Sequence, residues 1–469
     1  MKWSIQNKHL LLSLLSCCIL SSFINKPVFA VDNNTNKINL NNNVKTQAEN
    51  NFLTLYQAID ISVKNSYALQ TASEKIKLAE FVVTENAAQG LPQLNITTTY
   101  GRQDPVDASS SSALGSLGSS PQFAALLGTA RVNSFSNKIS LTQVLFAGFR
   151  VVDGIKLAGI NVKLNEESYR QSRQDVIRDV SNAYYNALKC LKFVDVNKET
   201  LRQCELHLDQ AKKFYNSGTS IKLDVTLAEN QLINAQMELS KSLNLLEKSK
   251  MALNLYMGRS IDTPIVLNSA AEVTQINYNE QKAVEDGLLN RSEIRQLQYK
   301  KDMDEIAITI QGRSSWPTIA ASTSYNISDT SVVNSNSNNT QNLSYGVNMN
   351  WPLFDGLATH AKVQKAENTL VQDQISIDQL RQSIVLDVKQ SLLDIQEAKE
   401  RIILAKKGIE VANESLRIAE TRYNNGVGTS TDVRDAQTTV NKADLNLVTA
   451  EFDLNVSRVK LYRAVGLDI

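Results

Sequence analysis

Histidine and cysteine are scarce: the 469 residues hold three of the first and four of the second. His9, Cys17 and Cys18 fall within the first thirty residues, so the remainder carries only His207, His360, Cys190 and Cys204. No group of these has metal-ligand spacing. If Cys190 and Cys204 share a helix they stand roughly 21 Å apart at ~1.5 Å per residue, out of disulfide reach, and each reads as a small buried thiol. A phosphate-cradling glycine loop is missing, as is a nucleophile with a base nearby in sequence, so nothing points to an enzyme or a cofactor. Excess positive charge is missing too. Of 49 basic and 48 acidic residues, the first thirty positions hold three lysines and no acid; without them the net charge is −2, which excludes a nucleic-acid binder.

No apolar run is long enough for a transmembrane helix. The longest, residues 10–23, follows Lys2 and Lys8 and precedes Val28-Phe29-Ala30, which has the small-x-small character of a signal-peptidase site. Residues 1–30 therefore read as a secretory signal. Leu14-Leu15-Ser16-Cys17 loosely resembles a lipobox, although Leu15 fits it poorly, and a lipidated Cys17 stays open.

Residues 31–52 are asparagine-rich and without periodicity, a flexible lead-in. After them the chain repeats itself. Residues 58–100 lie over 283–325 at a shift of 225, pairing Asn65 with Asn290 and Pro92 with Pro317. Residues 139–258 lie over 347–466 at a shift of 208, pairing Tyr215 with Tyr423, Gly218 with Gly426 and Asp224 with Asp432. Two long units, 53–270 and 283–469 joined by a connector at 271–282, argue for a pseudo-symmetric pair and against a solenoid. The two shifts differ because of one place in each unit, a polar loop at 104–130 in the first and at 328–342 in the second, as suits an exposed tip.

Amphipathic strands flank those loops. Leu343, Tyr345, Val347, Met349 and Trp351 alternate with Ser344, Gly346, Asn348 and Asn350. Ile319, Ala321, Thr323, Tyr325 and Ile327 form a second such face, and the first unit repeats the pattern more weakly. An apolar, aromatic face opposite a small polar one suits a membrane barrel with a wet interior; a soluble hairpin with one buried face is the plainer reading. Long helices follow. Val180, Ala187, Cys190, Val194, Cys204, Leu208 and Ala211 belong to a stripe stepping by fours and threes, and its copy in the second unit includes Ile384, Val388, Ile395, Ala398, Ala412 and Leu416. Sustained stripes of this kind mark helices packed in supercoiled fashion. "YNSG" and "YNNG" end the outgoing helices, with Gly218 and Gly426 suited to left-handed C-caps, and Asp224 and Asp432 begin the returning ones.

Each unit thus reads helix, strand, loop, strand, long helix, tight tip, long helix: an α+β fold, mainly α, with four strands per chain. Four strands cannot close, since even small barrels have about eight, and an unclosed sheet cannot stand in lipid. Copies must combine, giving eight strands from two or twelve from three.

Over nearly all of its mature length the chain resembles the TolC-type outer-membrane channel-tunnels of Gram-negative bacteria. The resemblance is carried by the junctions "LPQLNITTTY" and "WPTIAASTSY", by "VLFAGF" and "WPLFDG", and by the tips "YNSGTSIKLDV" and "YNNGVGTSTDVRDA". It implies a homotrimer with one twelve-stranded barrel in the outer membrane and one helical tunnel across the periplasm. It further implies an exit duct for drug efflux or type I protein secretion, working with a periplasmic adaptor and an inner-membrane transporter. Asp432 and Asp435 match the paired aspartates lining the periplasmic mouth of such proteins, a ring of six carboxylates that would favour cations. Asp432 reads equally well as a helix N-terminal charge, whereas Asp435 has Leu227 as its counterpart and needs another reason. Asp224 and Tyr423 match gate residues, and the arginine that completes that network is replaced by Gly428. Gly218 and Gly426 occupy the region where adaptors dock. The rival reading is a periplasmic coiled-coil adaptor or a structural coiled coil without a pore.

Overall fold

The computed structural model describes residues 52–103, 132–267, 279–332 and 338–467. The segment read as a secretory signal, nearly all of the lead-in, the whole first loop and much of the connector lie outside them. Each unit contributes two short helices, two strands, one very long helix and one returning helix. In the first these are α1 (Leu55–Asn65), α2 (Tyr67–Ala88), β1 (Gln93–Gln103), β2 (Val132–Ala147), α3 (Arg150–Asn216) and α4 (Lys222–Tyr256). In the second they are α5 (Glu280–Asn290), α6 (Ser292–Gly312), β3 (Thr318–Val332), β4 (Asn338–Asn350), α7 (Ala358–Asn424) and α8 (Ser430–Val465).

Two boundaries differ from those expected. α5 begins at Glu280, inside the segment read as connector. β3 runs to Val332 and β4 starts at Asn338, so the second loop is shorter than 328–342. Ser, Thr and Asn dominate those strand ends, and a polar strand and a polar loop look alike in composition. Backbone pairing supplies what the side chains conceal, since Ser328 stands opposite Thr340 with their hydroxyls 2.7 Å apart.

The four strands form one antiparallel sheet in the order β1-β2-β3-β4, so both edges are bare. Register keeps the apolar residues in phase: Ile96 faces Ile139, Ile139 faces Tyr325, and Tyr325 faces Leu343. A bulge between Val144 and Phe146 lets β2 bend out of the sheet toward its helix. In this single chain the apolar face is uncovered, with Tyr345 83% and Ile96 70% exposed.

Strand joins long helix through two consecutive left-handed residues, Gly148-Phe149 in the first unit and Gly356-Leu357 in the second. Phe149 meets Phe146 and Trp316 edge-on at 5.4 and 6.1 Å, and the Arg313 guanidinium lies 5.4 Å over its ring. Arg313 also pairs with Asp153, which is buried in the first turn of α3. These contacts hold a backbone that a bulky residue adopts only at a cost.

α3 and α7 have 67 residues each, about 100 Å of helix at 1.5 Å per residue. The short helices pack along the half of each rod nearer the sheet, and α4 or α8 along the other half. The predicted stripes are the packed ones: Val180, Ala187, Cys190, Val194, Cys204 and Ala211 are buried on α3, and Ile384, Val388, Ala398 and Ala412 on α7. Both cysteines are free, and burial pushes the Cys204 thiol up to about 11. The largest apolar clusters sit where short and returning helices meet, around Tyr184, Leu188 and Leu253 in the first unit and Ile384, Val388 and Leu461 in the second. Arg463 binds Asp175 and Glu293 there at 2.8 and 2.6 Å, tying α8 to α3 and α6. Its repeat counterpart is Leu255, so only the second unit carries this tie.

Candidate functional site at the helix tips

All four returning or outgoing helix ends close in the same way. At the tips, Gly218 N–H donates to Tyr215 and Thr219 N–H to Phe214, while Gly426 N–H donates to Tyr423 and Val427 N–H to Arg422. Gly218 and Gly426 have φ of +79° and +74°, the left-handed caps expected, and a side chain added at either would meet open space. Gly428 differs. A Cβ there would stand 2.9 Å from the Tyr423 nitrogen and 2.9 Å from Arg422 Cβ, so this tip has no room for an arginine at 428.

The structure brings Asp224 and Tyr423 to one seam. Ser220 Oγ donates to Asp224 Oδ2 at 2.6 Å, and the buried Tyr423 hydroxyl, which has no hydrogen bond of good geometry, faces that pair. Burial, aided by the Asp224 charge, pushes the Tyr423 phenol up. Sequence reasoning missed the residue beside them. His207 on α3 is buried, its Nε2 3.1 Å from Ser430 Oγ on α8 and its ring 5.4 Å from that of Tyr423. Burial pulls the imidazole below its ordinary value, against the opposing pull of Asp224. Phe214 packs on the other side of Tyr423 at 5.5 Å.

Further polar contacts join the two hairpins of the chain. Gln210 donates to Asn424, Gln231 to Gln437 at 2.7 Å, and Asn441 to Thr200 at 2.9 Å. A cavity of about 80 Å³ opens beside them, lined by His207, Gln210, Glu420, Tyr423 and Gln437 among others. Burial pushes the Glu420 carboxyl up. One signal for His207 was present in the sequence: its counterpart is Ser415, a break in the repeat like Asp435 against Leu227.

Asp432 and Asp435 lie one turn apart at the start of α8, and the structure gives them different surroundings. Asp432 closes a capping box with Thr429, each side chain taking the other's backbone N–H at 3.1 Å, which pulls its carboxyl down. Asp435 is exposed and accepts from Arg434 at 2.9 Å. Among the described residues, no group of three or more His, Cys, Asp or Glu could hold a metal ion. No described helix is long and apolar enough to cross a membrane.

Two amphipathic hairpins at one end of paired helical rods, with a polar seam at the other end, define an outer-membrane channel subunit of the efflux type. The outer membrane efflux protein family matches residues 38–259 and 283–467. The outer membrane protein TolC of Salmonella enteritidis is 26% identical over 354 residues, 71% of this chain and 69% of the relative. TolC of Vibrio cholerae is 23% identical over 407 residues, 85% and 87% of the two. Among solved structures, the Campylobacter jejuni CmeC outer membrane channel superposes with a TM-score of 0.70 at 15% identity, covering 91% of this chain and 90% of that one. CusC gives 0.70 at 19% identity, with 88% and 92% covered. The chain belongs to the outer membrane efflux protein family, and its place is the outer membrane, with helical rods extending into the periplasm.

Proposed function

We propose that three copies of this chain close a twelve-stranded barrel and a helical periplasmic tunnel. Together they serve as the exit duct of a tripartite export system, without catalytic activity of their own. The observation that carries this is the four-stranded sheet with two bare edges and an uncovered apolar face. Such a sheet stands in lipid only if neighbours complete it. The repeat supports the same arrangement along the rods. Tyr185 is buried under the second unit, whereas its counterpart Leu393 is 65% exposed on α7, a seat for the next copy.

In this reading Asp224 and Tyr423 form the closed gate at the tips. Asp435, with Asp432, rings the mouth, and Gly218 and Gly426 mark where the hairpins of a periplasmic adaptor dock. An inner-membrane transporter selects the cargo, directly linked or through the adaptor. The test is conductance of the mature protein in planar bilayers. Cation-preferring pores are expected, with the preference reduced in Asp435→Ala. A protein that never conducts refutes the duct, and a mutant of unchanged selectivity refutes the ring.

A further inference from the structure

On the sheet face opposite the apolar one, from residues 93–103, 133–147, 318–329 and 340–350, the side chains are mostly hydroxyls, amides and small groups, and all are uncharged with one exception. The exception is Lys138. It lies between Thr97 on β1 and Asn326 on β3, flanked along β2 by Ser136 and Ser140 on the same face. Its neighbour in sequence, Ile139, faces Ile96 and Tyr325 on the apolar side. On β1 the level of Lys138 is the middle of the apolar band that runs from Leu94 to Tyr100, so the ammonium sits at bilayer depth. The side chain is exposed, and no described carboxylate pairs with it. A lone cation at that depth is tolerated where it faces water, which the hydroxyl-lined face supplies.

We propose that Lys138 makes the barrel lumen a binding site for polyvalent oxyanions, three ammonium groups at one level drawing phosphate or clustered carboxylate into a tube whose other described inward side chains are uncharged. This rests on the trimeric channel reading. The hydroxyls and amides around each lysine, such as Ser136 and Asn326, which share a 2.8 Å hydrogen bond, offer donors to the same oxygens. A low-dielectric wall focuses the field of the three charges across the lumen. The barrel end of the duct then carries the sign opposite to that of the acidic tips. Anionic groups on cargo are held at the exit, and oxyanions in the outer medium compete for the same place.

The experiment adds inorganic tripolyphosphate to the barrel side of channels held in planar bilayers. Wild-type current is expected to be blocked in a voltage-dependent manner. The block should weaken by roughly tenfold or more in Lys138→Gln and persist in Lys138→Arg. Lys138→Cys should lose the block and regain it after reaction with a positively charged methanethiosulfonate, which keeps the test decisive if the glutamine variant fails to assemble. Equal block in wild type and the neutral variants, or a conducting wild type that tripolyphosphate never blocks, overturns the lysine site and leaves the channel standing. Absence of any conductance instead overturns the channel reading, and the site with it.

Discussion

The Asp153–Arg313 pair offers a quantitative test of how the barrel end is joined to the rods. Asp153 is 5% exposed, while the Arg313 side chain keeps 28% of its surface in contact with solvent. Arg313→Ala strands a buried carboxylate, a change worth about 3 kcal/mol. It also removes the guanidinium from the faces of Phe149 and Trp316, about 0.5–1 kcal/mol more. Asp153→Ala is milder, about 1–2 kcal/mol, because the guanidinium keeps both rings and part of its water. The repeat shows what the junction does without the pair: the counterparts of Arg313 and Asp153 are Ala88 and Ala361. The double alanine variant should therefore cost only about 1–2 kcal/mol, giving a coupling energy of roughly 3–4 kcal/mol. Guanidinium unfolding of the detergent-solubilised protein, followed by helical circular dichroism for the four proteins of the cycle, measures it. A double variant as unstable as the sum of the singles would refute the reasoning.

Three other outcomes follow from the seam and the edges. Because burial lowers the His207 pKa, the closed seam favours the neutral ring, whereas an opened seam binds a proton more readily near the ordinary value of 6.5. Closure is then fully stabilised above that value and weakened as pH falls through it; channel opening should rise on acidification, and His207→Asn should flatten the profile. Carrying the β2–β3 register over by the repeat shifts seats Met349 of one copy opposite Thr98 of the next. Met349→Cys with Thr98→Cys should oxidise to a covalent trimer on a denaturing gel, and a product that stops at dimer would rule out a three-chain barrel. Thr429→Ala should cost about 1 kcal/mol in unfolding experiments by removing the α8 cap; a silent substitution would show that Asp432 does not depend on it.

Much of the fold was legible because the chain states it twice. The stripes through Cys190 and Ala398 marked the packed helix faces, and the alternation at Leu343 to Trp351 marked a strand with one apolar side. Polar strand ends were not legible, since Ser328 and Thr340 pair through backbone that composition does not reveal. At the tips, the repeat located Gly218 and Gly426, and the family resemblance located Asp224 and Tyr423. His207 was passed over because a lone histidine was weighed only as a metal ligand; its contact with Ser430 spans two helices far apart in sequence. Arg434 was missed beside Asp435 for a different reason, in that adjacent residues on a helix seldom face each other, yet a long arginine can fold back to its neighbour. Gly428 read as a lost arginine, and only the crowding against Tyr423 shows that the turn itself demands its absence.

The equal length of α3 and α7 carries both hairpins of the chain equally far from the sheet. Each rod advances ~1.5 Å and turns about 100° per residue, so a single inserted residue in one of them would swing its tip away from its partners as well as lower it. A change of rod length that keeps the two tips together therefore requires matched additions of whole heptads to both rods.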